Sequence, residues 1–402
     1  MNWYFLAIIP IFGLLVFVHE LGHFLTAKWA GIRVEEFALG FPPNVVSARK
    51  RESGGWEVMW FGRGREIDAS STQNPFSATS GGISGASADV SPHTTYSLNL
   101  LPIGGFVRMP GENGDALDEE GHYDPHSFAA KSAGKRIVVL CAGVVMNFLL
   151  GILLFTIAYS VGEPVGTNDP IIGTIQSGSP AEAAGLHPDD RILSVNGQAV
   201  KSFSEIHDIV DKEVKADTKH SVTVPVTLLV SHSNSSAPVT LVVNARTHPA
   251  PGSGAMGVGG KVTLVKSPIW EAPIKGIQQT FGFIHTYLGL IGQMIRGVIP
   301  VQLSGPVGMA QVTGDVAQTV PYYGWWPLLS LTAILSLNLA IFNILPFPAL
   351  DGGRVFLIFV EILRGGKRLK PEREGLINFI GLAVLLLLMV VVTVSDVLHW
   401  GS

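Results

Sequence analysis

Charge is scarce in this sequence. Of 402 residues only 14% are Asp, Glu, Lys or Arg, while 47% are hydrophobic. That balance excludes a disordered polyelectrolyte and argues against an ordinary soluble fold. No basic tract is present either: 27 Lys and Arg stand against 31 Asp and Glu, for a net charge of -4. Nucleic acid is therefore not an expected partner. The single cysteine, Cys141, lies in an apolar run, which excludes an intramolecular disulfide and leaves the redox compartment open. The N-terminal apolar stretch lacks both a basic leader and a small-residue cleavage site. It is expected to be retained rather than removed as a signal peptide.

Long uncharged runs are what the sequence does have. Ile137–Val161, Trp326–Leu350 and Gly375–Val394 carry no formal charge, and each is long enough as a helix to cross about 30 Å of hydrocarbon. A fourth run is uncharged from Met1 to Val18 and continues through His19, Glu20 and His23 to Lys28. Lysine and arginine gather between spans one and two (Arg33, Arg49, Lys50, Arg51 and others) and between spans three and four (Arg364, Lys367, Arg368). Both loops are expected on the cytoplasmic side. Both termini and the segment from Gly162 to Tyr323 then fall on the opposite side.

The expected class is a polytopic α-helical membrane protein with about four transmembrane helices, a membrane-associated β-hairpin and an inserted extracytoplasmic α+β domain. The expected order is a first span over 1–30 and a cytoplasmic loop over 31–133, which holds a flexible Ser/Gly-rich insertion at 66–95 and the hairpin at 96–111. A second span at 134–162 precedes the inserted domain at 167–247. An amphipathic interfacial helix and connector occupy 268–323, and spans three and four cover 325–351 and 374–397. Within the inserted domain, strand-like runs at Ile171–Ile175, Ser221–Val230 and Val239–Val243 alternate with short helical patterns. The run Gly178-Ser-Pro-Ala-Glu-Ala-Ala-Gly-Leu186, followed by Asp189-Asp-Arg-Ile-Leu-Ser-Val-Asn-Gly197, resembles a PDZ domain. Such domains take extended peptides as an added strand.

The chemistry concentrates at His19-Glu-Leu-Gly-His23. Residues four apart on a helix share a face, so both imidazoles can reach one ion with Glu20 beside them, the pattern of an HExxH zinc motif. Catalytic zinc takes three protein ligands and leaves a position for water, whose pKa falls to about 7. Glu20 is then the general base. Ionisable groups at membrane depth are costly unless they pair or coordinate.

A third ligand is expected from Asn343-Ile-Leu-Pro-Phe-Pro-Ala-Leu-Asp-Gly-Gly353, where two prolines and two glycines bracket Asp351 in an otherwise spanning run. Irregular backbone at that depth belongs where it is buried or lines a polar cavity. Asp351 is the candidate ligand, and Asn343 is placed to bond unpaired backbone.

Together these motifs resemble the site-2 proteases, specifically the bacterial regulator-of-sigma-E type. Ser97-Leu-Asn-Leu-Leu-Pro-Ile-Gly-Gly-Phe-Val-Arg-Met-Pro-Gly111 is similar to that family's membrane-associated hairpin, and Gly143-Val-Val-Met-Asn147 also matches. The resemblance implies a zinc-dependent intramembrane endopeptidase of a bacterial inner membrane. His19, His23 and Asp351 would hold Zn2+, Glu20 would act as base, and Asn343, Asn147 and Pro346 would position substrate. It also implies single-span membrane protein substrates, already shortened by another protease, such as anti-sigma factors or remnant signal peptides. Two features depart from the family: residues 167–246 leave room for one PDZ domain rather than two, and Asp68–Pro92 interrupts the approach to the hairpin. The rival function is a non-catalytic membrane adaptor that binds peptides through the PDZ domain. Glu20 argues against it, because a structural zinc site closes its shell with four ligands and needs no base.

Overall fold

The computed structural model describes residues 3–51, 55–61, 93–112, 124–216, 222–232, 237–249, 254–298 and 305–398. The insertion expected at 66–95 lies outside the described residues as far as 92. The chain divides into two compact units, residues 1–157, 270–318 and 328–402 in the first, and 158–269 with 319–327 in the second.

Helices dominate the first unit. A 3-10 turn (Trp3–Ala7) leads into α1 (Ile8–Ala30), which ends where Gly31 adopts a left-handed φ of 71° and returns its N–H to the last turn. The strands β1 (Glu36–Lys50), β2 (Trp56–Trp60) and β3 (Thr95–Arg108) follow, then α2 (Ala133–Val161). Among the described residues, four helical stretches are long and apolar enough to span a membrane: Trp3–Ala30, Ala133–Val161, Trp326–Ile344 and Glu372–Leu398. They match the four expected spans, with the third shortened.

Burial ranks these helices. In their most apolar stretches α2 has 44% of its residues buried and the last helix 6%, so α2 is the axis of the bundle and the last helix presents its apolar surface outward. Leu15 of α1, Leu150, Leu154 and Phe155 of α2, and Ala333 and Leu337 of the third span form one core cluster. Lipid is as apolar as leucine, so close packing rather than water exclusion holds such helices together.

The β elements form a sheet ordered β2-β1-β3. Both long strands fold back on themselves. Glu36–Leu39 runs beside Thr95–Leu98 in parallel and beside Gly105–Arg108 in reverse, while Asn44–Arg49 pairs with Thr95–Asn99 and, through Val46–Lys50, with β2. The bend in β1 falls at Pro42–Pro43, whose peptide is cis. Residues 95–108, within which a hairpin was expected at 96–111, form β3 in a larger sheet whose partner strands were not foreseen. Gly105–Arg108 forms one margin of that sheet, and the other, β2, exposes Trp56, Val58 and Trp60.

The rest of the unit differs from expectation in two places. A helix is present where an interfacial one was expected at 269–299: α5 (Ala272–Ile295) is buried at Ala272, Gly276 and Thr280 along one stripe. The connector after it, expected as an irregular loop, contains α6 (Pro306–Gln318), where the Gly308 N–H donates to Asp396 Oδ2 at 2.8 Å. The third span, α8 (Trp326–Ile344), stops short of Pro346, and a separate helix α9 (Asp351–Leu363) begins at the aspartate. Prolines at 346 and 348 remove the N–H groups that a continuous helix would need. The last span is α10 (Pro371–Leu398).

The second unit is α+β. β6 (Arg191–Val195), β7 (Gln198–Ala199), β8 (Thr223–Ser231) and β9 (Val239–Arg246) form an antiparallel sheet ordered β7-β6-β8-β9. Two ribbons accompany it: β4 (Glu163–Gly166) with β11 (Val262–Val265), and β5 (Ile172–Ile175) with β10 (Val258–Gly260). Val226, Leu228 and Val230 alternate along β8 and are fully buried, as strand periodicity requires. Ile206 and Val210 of α4 (Phe203–Ala216) cover them. The short α3 (Pro180–Ala183) is capped by Ser179 Oγ, which accepts from the Glu182 N–H at 3.2 Å, while Glu182 Oε2 accepts from the Gly178 N–H. The remaining element of this unit is α7 (Val320–Tyr323).

Candidate metal centre

The HExxH residues lie midway along α1, with both histidine side chains 9% exposed. Helical spacing brings His19 Nε2 and His23 Nε2 within 3.2 Å of each other. Across from them Asp351 Oδ2, at the start of α9, lies 3.1 Å from His19 Nε2 and 3.3 Å from His23 Nε2. Asp351 Oδ2 is buried and makes no well-directed hydrogen bond, so its proximity to two ring nitrogens is not a pair of ordinary bonds.

Three donor atoms at these separations match the edges of a tetrahedron around one ion, which are about 3.3 Å for zinc–ligand bonds of about 2.0–2.1 Å. Two imidazoles and one carboxylate also suit zinc chemically. The residues therefore fit the ion.

Neighbouring groups orient the donors. His23 Nδ1 donates to the Val139 carbonyl at 2.8 Å, which leaves Nε2 with a lone pair for metal. His19 Nδ1 lies 3.3 Å from the Asn147 side-chain amide nitrogen, and Asn147 Oδ1 is buried without a partner. Half a turn of that amide gives the oxygen a donor in His19 Nδ1–H and frees His19 Nε2 in the same way. Asn147 thus meets one of the two histidines whose Nε2 atoms face Asp351. The Asn147 carbonyl accepts from Ser336 Oγ at 2.8 Å, which ties α2 to α8 at this level.

Glycine makes the cavity. A Cβ on Gly143 would lie 2.5 Å from His23 Nε2 and 2.6 Å from His19 Cε1, so no other residue leaves both rings in place. The chain break before Asp351 is equally tight, since a Cβ on Gly352 would stand 2.3 Å from the Ile344 carbonyl oxygen and one on Gly353 2.2 Å from that of Phe347. Ala349 within the break has a left-handed φ of 73°, a conformation held there by its surroundings. Arg354, one turn along α9, pairs with Glu112 and anchors the helix that carries Asp351.

Glu20 is half-buried beside the two histidines, and the edge segment of β3 reaches it: a Cβ on Gly105 would come within 3.1 Å of Glu20 Cγ. Asn343 is half-buried near the end of α8, and its side chain makes no hydrogen bond with the described residues, while Pro346 is exposed in the break. Neither is in the shell around the three donors. Gly143, the Val139 carbonyl and the Arg354–Glu112 pair were not foreseen from the sequence. Only the proximity of the HExxH and Asp-Gly-Gly motifs to apolar helices hinted that such supports must exist.

The sequence signature of Peptidase family M50 matches residues 7–64 and 86–388. The chain belongs to peptidase family M50. This M50 peptidase is 30% identical to the zinc metalloprotease RasP of Geobacillus kaustophilus, over 98% of this chain and 97% of that protein. It is 31% identical to the RasP of Oceanobacillus iheyensis, over 97% and 98%. The protein named regulator of sigma-W protease RasP in Bacillus subtilis is 28% identical over 98% and 97%. The M50 chain is accordingly a metalloprotease of site-2 type, and its His19–His23–Asp351 donor set fits the zinc in those relatives' names.

Proposed function

We propose that this M50 peptidase cleaves other membrane proteins within or beside their transmembrane segments, with His19, His23 and Asp351 as zinc ligands and Glu20 as general base. The observation that carries the proposal is the triangle of donor atoms with sides of 3.1, 3.2 and 3.3 Å between the apolar helix α1 and the start of α9, just after the third apolar helix. A site at that depth meets substrates that are themselves in the bilayer.

A zinc ion held there supplies Lewis-acid polarisation of the scissile carbonyl and acidifies a water molecule. The protein's own side chains do the rest. Glu20 takes the proton of the attacking water and returns it to the leaving amine, a role worth about 10²–10⁴ in rate. Asn147 and the Val139 carbonyl hold the two rings so that their Nε2 atoms face the ion. Asn343 and Pro346, at the broken end of α8, remain candidates for engaging substrate.

A helical substrate must unwind before its peptide bond can be attacked, and its freed backbone groups then need partners. The edge segment Gly105–Arg108, beside Glu20, offers them by strand addition. The exposed Trp56 and Trp60 of β2 support seating of this sheet at the membrane surface, where amphipathic rings collect. Lysine and arginine placement supports a cytoplasmic sheet and an extracytoplasmic second unit. In that arrangement the second unit is a PDZ domain that takes peptide tails, and the substrates are single-span proteins already shortened on the outer side. The regulator-of-sigma-W protease among the relatives supports substrates such as membrane-bound anti-sigma factors.

Co-expression with a tagged single-span reporter tests the proposal. Wild type is expected to release a fragment whose mass places the cut within the span, and Glu20→Gln to leave the reporter whole. A cut outside the span, or equal cleavage by both, contradicts it.

A further inference from the structure

The geometry points to a second metal site in the second unit: His187, Asp190 and His232 bind one zinc ion. The site is separate from the M50 centre, and the inference does not rest on the peptidase reading.

His187 and Asp190 sit in the turn between α3 and β6, and His232 directly follows β8. One ligand atom from each lies within 4.8 Å of those of the other two. Asp190 is the fixed point. Its side chain is 1% exposed, and its two oxygens are separately engaged: Oδ2 accepts the His187 backbone N–H at 2.7 Å, and Oδ1 lies 2.8 Å from His232 Nδ1. The Asp190 N–H closes the turn onto the His187 carbonyl. The backbone is therefore set before any ion arrives.

The two rings meet over that carboxylate, centroids 5.7 Å apart and nearly perpendicular. The Asp190–His232 contact alone would be an ordinary ion pair closing the end of a strand. It gives no reason for a second imidazole at the same place. The His187 ring is exposed and makes no hydrogen bond among the described residues, so it is free to turn and bring its nitrogen to the tetrahedral edge of about 3.3 Å. Two nitrogens and one oxygen select a borderline ion such as zinc over calcium or magnesium, which take oxygen shells. Three protein ligands leave a fourth position for water.

The carboxylate can only accept, so His232 Nδ1 carries the hydrogen between them; when the ion takes that position the ring hydrogen passes through solvent to Nε2, and the imidazole stays neutral. The loaded site joins the turn at Asp190 to the end of β8, residues 42 apart in sequence, and stabilises the unit in proportion to occupancy.

Cobalt titration of the full chain in detergent, followed by visible absorption, tests the site. In His19→Ala/His23→Ala, where the membrane site has lost two ligands, one equivalent of cobalt is expected. Adding His187→Ala should weaken that binding at least tenfold and remove the spectrum. In the otherwise wild-type protein, His187→Ala should lower the metal content from two equivalents to one while peptidase activity is retained. Since His187 is exposed, its replacement leaves the fold intact; His232→Ala, compared by thermal melting with and without zinc, gives a second reading in which the zinc-induced rise is lost. Absence of cobalt binding in His19→Ala/His23→Ala, or binding unaffected by His187→Ala, overturns the inference.

Discussion

Gly143 of α2 faces His23 of α1 so closely that a single added methyl group would lie 2.5 Å from the nitrogen that points at Asp351. The helix crossing is thus set by the room that two imidazoles and an ion require. Gly143→Ala is expected to lower zinc affinity by about 10–100-fold, the range found when groups supporting metal ligands are altered. The secondary structure should be unchanged. A zinc-chelator competition titration on purified protein measures it, and wild-type affinity in the variant would show that the helices have room to spare.

Asn147 acts on His19 rather than on the ion. Asn147→Ala should therefore leave the ligand count intact but loosen the ring, with a loss of about 10–100-fold in zinc affinity or activity. Asn147→Asp, whose side chain still accepts from Nδ1–H, should recover part of it. If Asn147 served only to bind substrate, KM would change and zinc affinity would not; the two measurements together discriminate.

Removal of the ion should abolish peptidase activity without unfolding the bundle, because the helices are also held by the Leu15–Leu154–Leu337 core cluster. Treatment with a strong chelator, monitored by circular dichroism and reporter cleavage, should give an inactive protein of unchanged helicity that regains activity on zinc addition. Loss of helicity along with activity would assign the ion a structural role.

Farther along α9, Glu361 is half-buried, which alone would raise its pKa, but Arg136 at 2.6 Å and Arg368 at 3.2 Å outweigh that and hold it below the ordinary glutamate range. A carboxyl depressed on folding contributes stability above its unfolded pKa and loses it as pH falls through the folded value. Thermal stability should therefore decline on acidification below about pH 4.5, and less steeply in Glu361→Gln. Arg136→Ala removes one of the two partners and leaves Arg368 at 3.2 Å, so it should cost about 1–3 kcal/mol. Identical acid profiles for wild type and Glu361→Gln would remove this cluster from the account.

The four residues of the centre were legible because each stands out locally. His19, Glu20 and His23 are polar in an apolar run, and Asp351 sits in a run broken by Pro346 and Pro348. Gly143 was quoted within a motif, yet its reason is a distance to His23 that no spacing encodes. The strands at 36–50 were missed because Gly40, Pro42 and Pro43 mask their periodicity; each half pairs with residues more than forty positions away. Helix α6 was obscured by the Gly/Pro-rich stretch at its start, and α9 because its glycines at 352 and 353, poor helix formers, are there for close contact with the preceding turn.

The most direct measurement is zinc content and reporter cleavage determined together for Glu20→Gln and Asp351→Ala, both in a His187→Ala background so that one ion is counted. Glu20→Gln is predicted to keep one equivalent of zinc and lose cleavage, and Asp351→Ala to lose both. Zinc retained in Asp351→Ala, or cleavage retained in Glu20→Gln, would contradict the assignment of ligand and base on which the account stands.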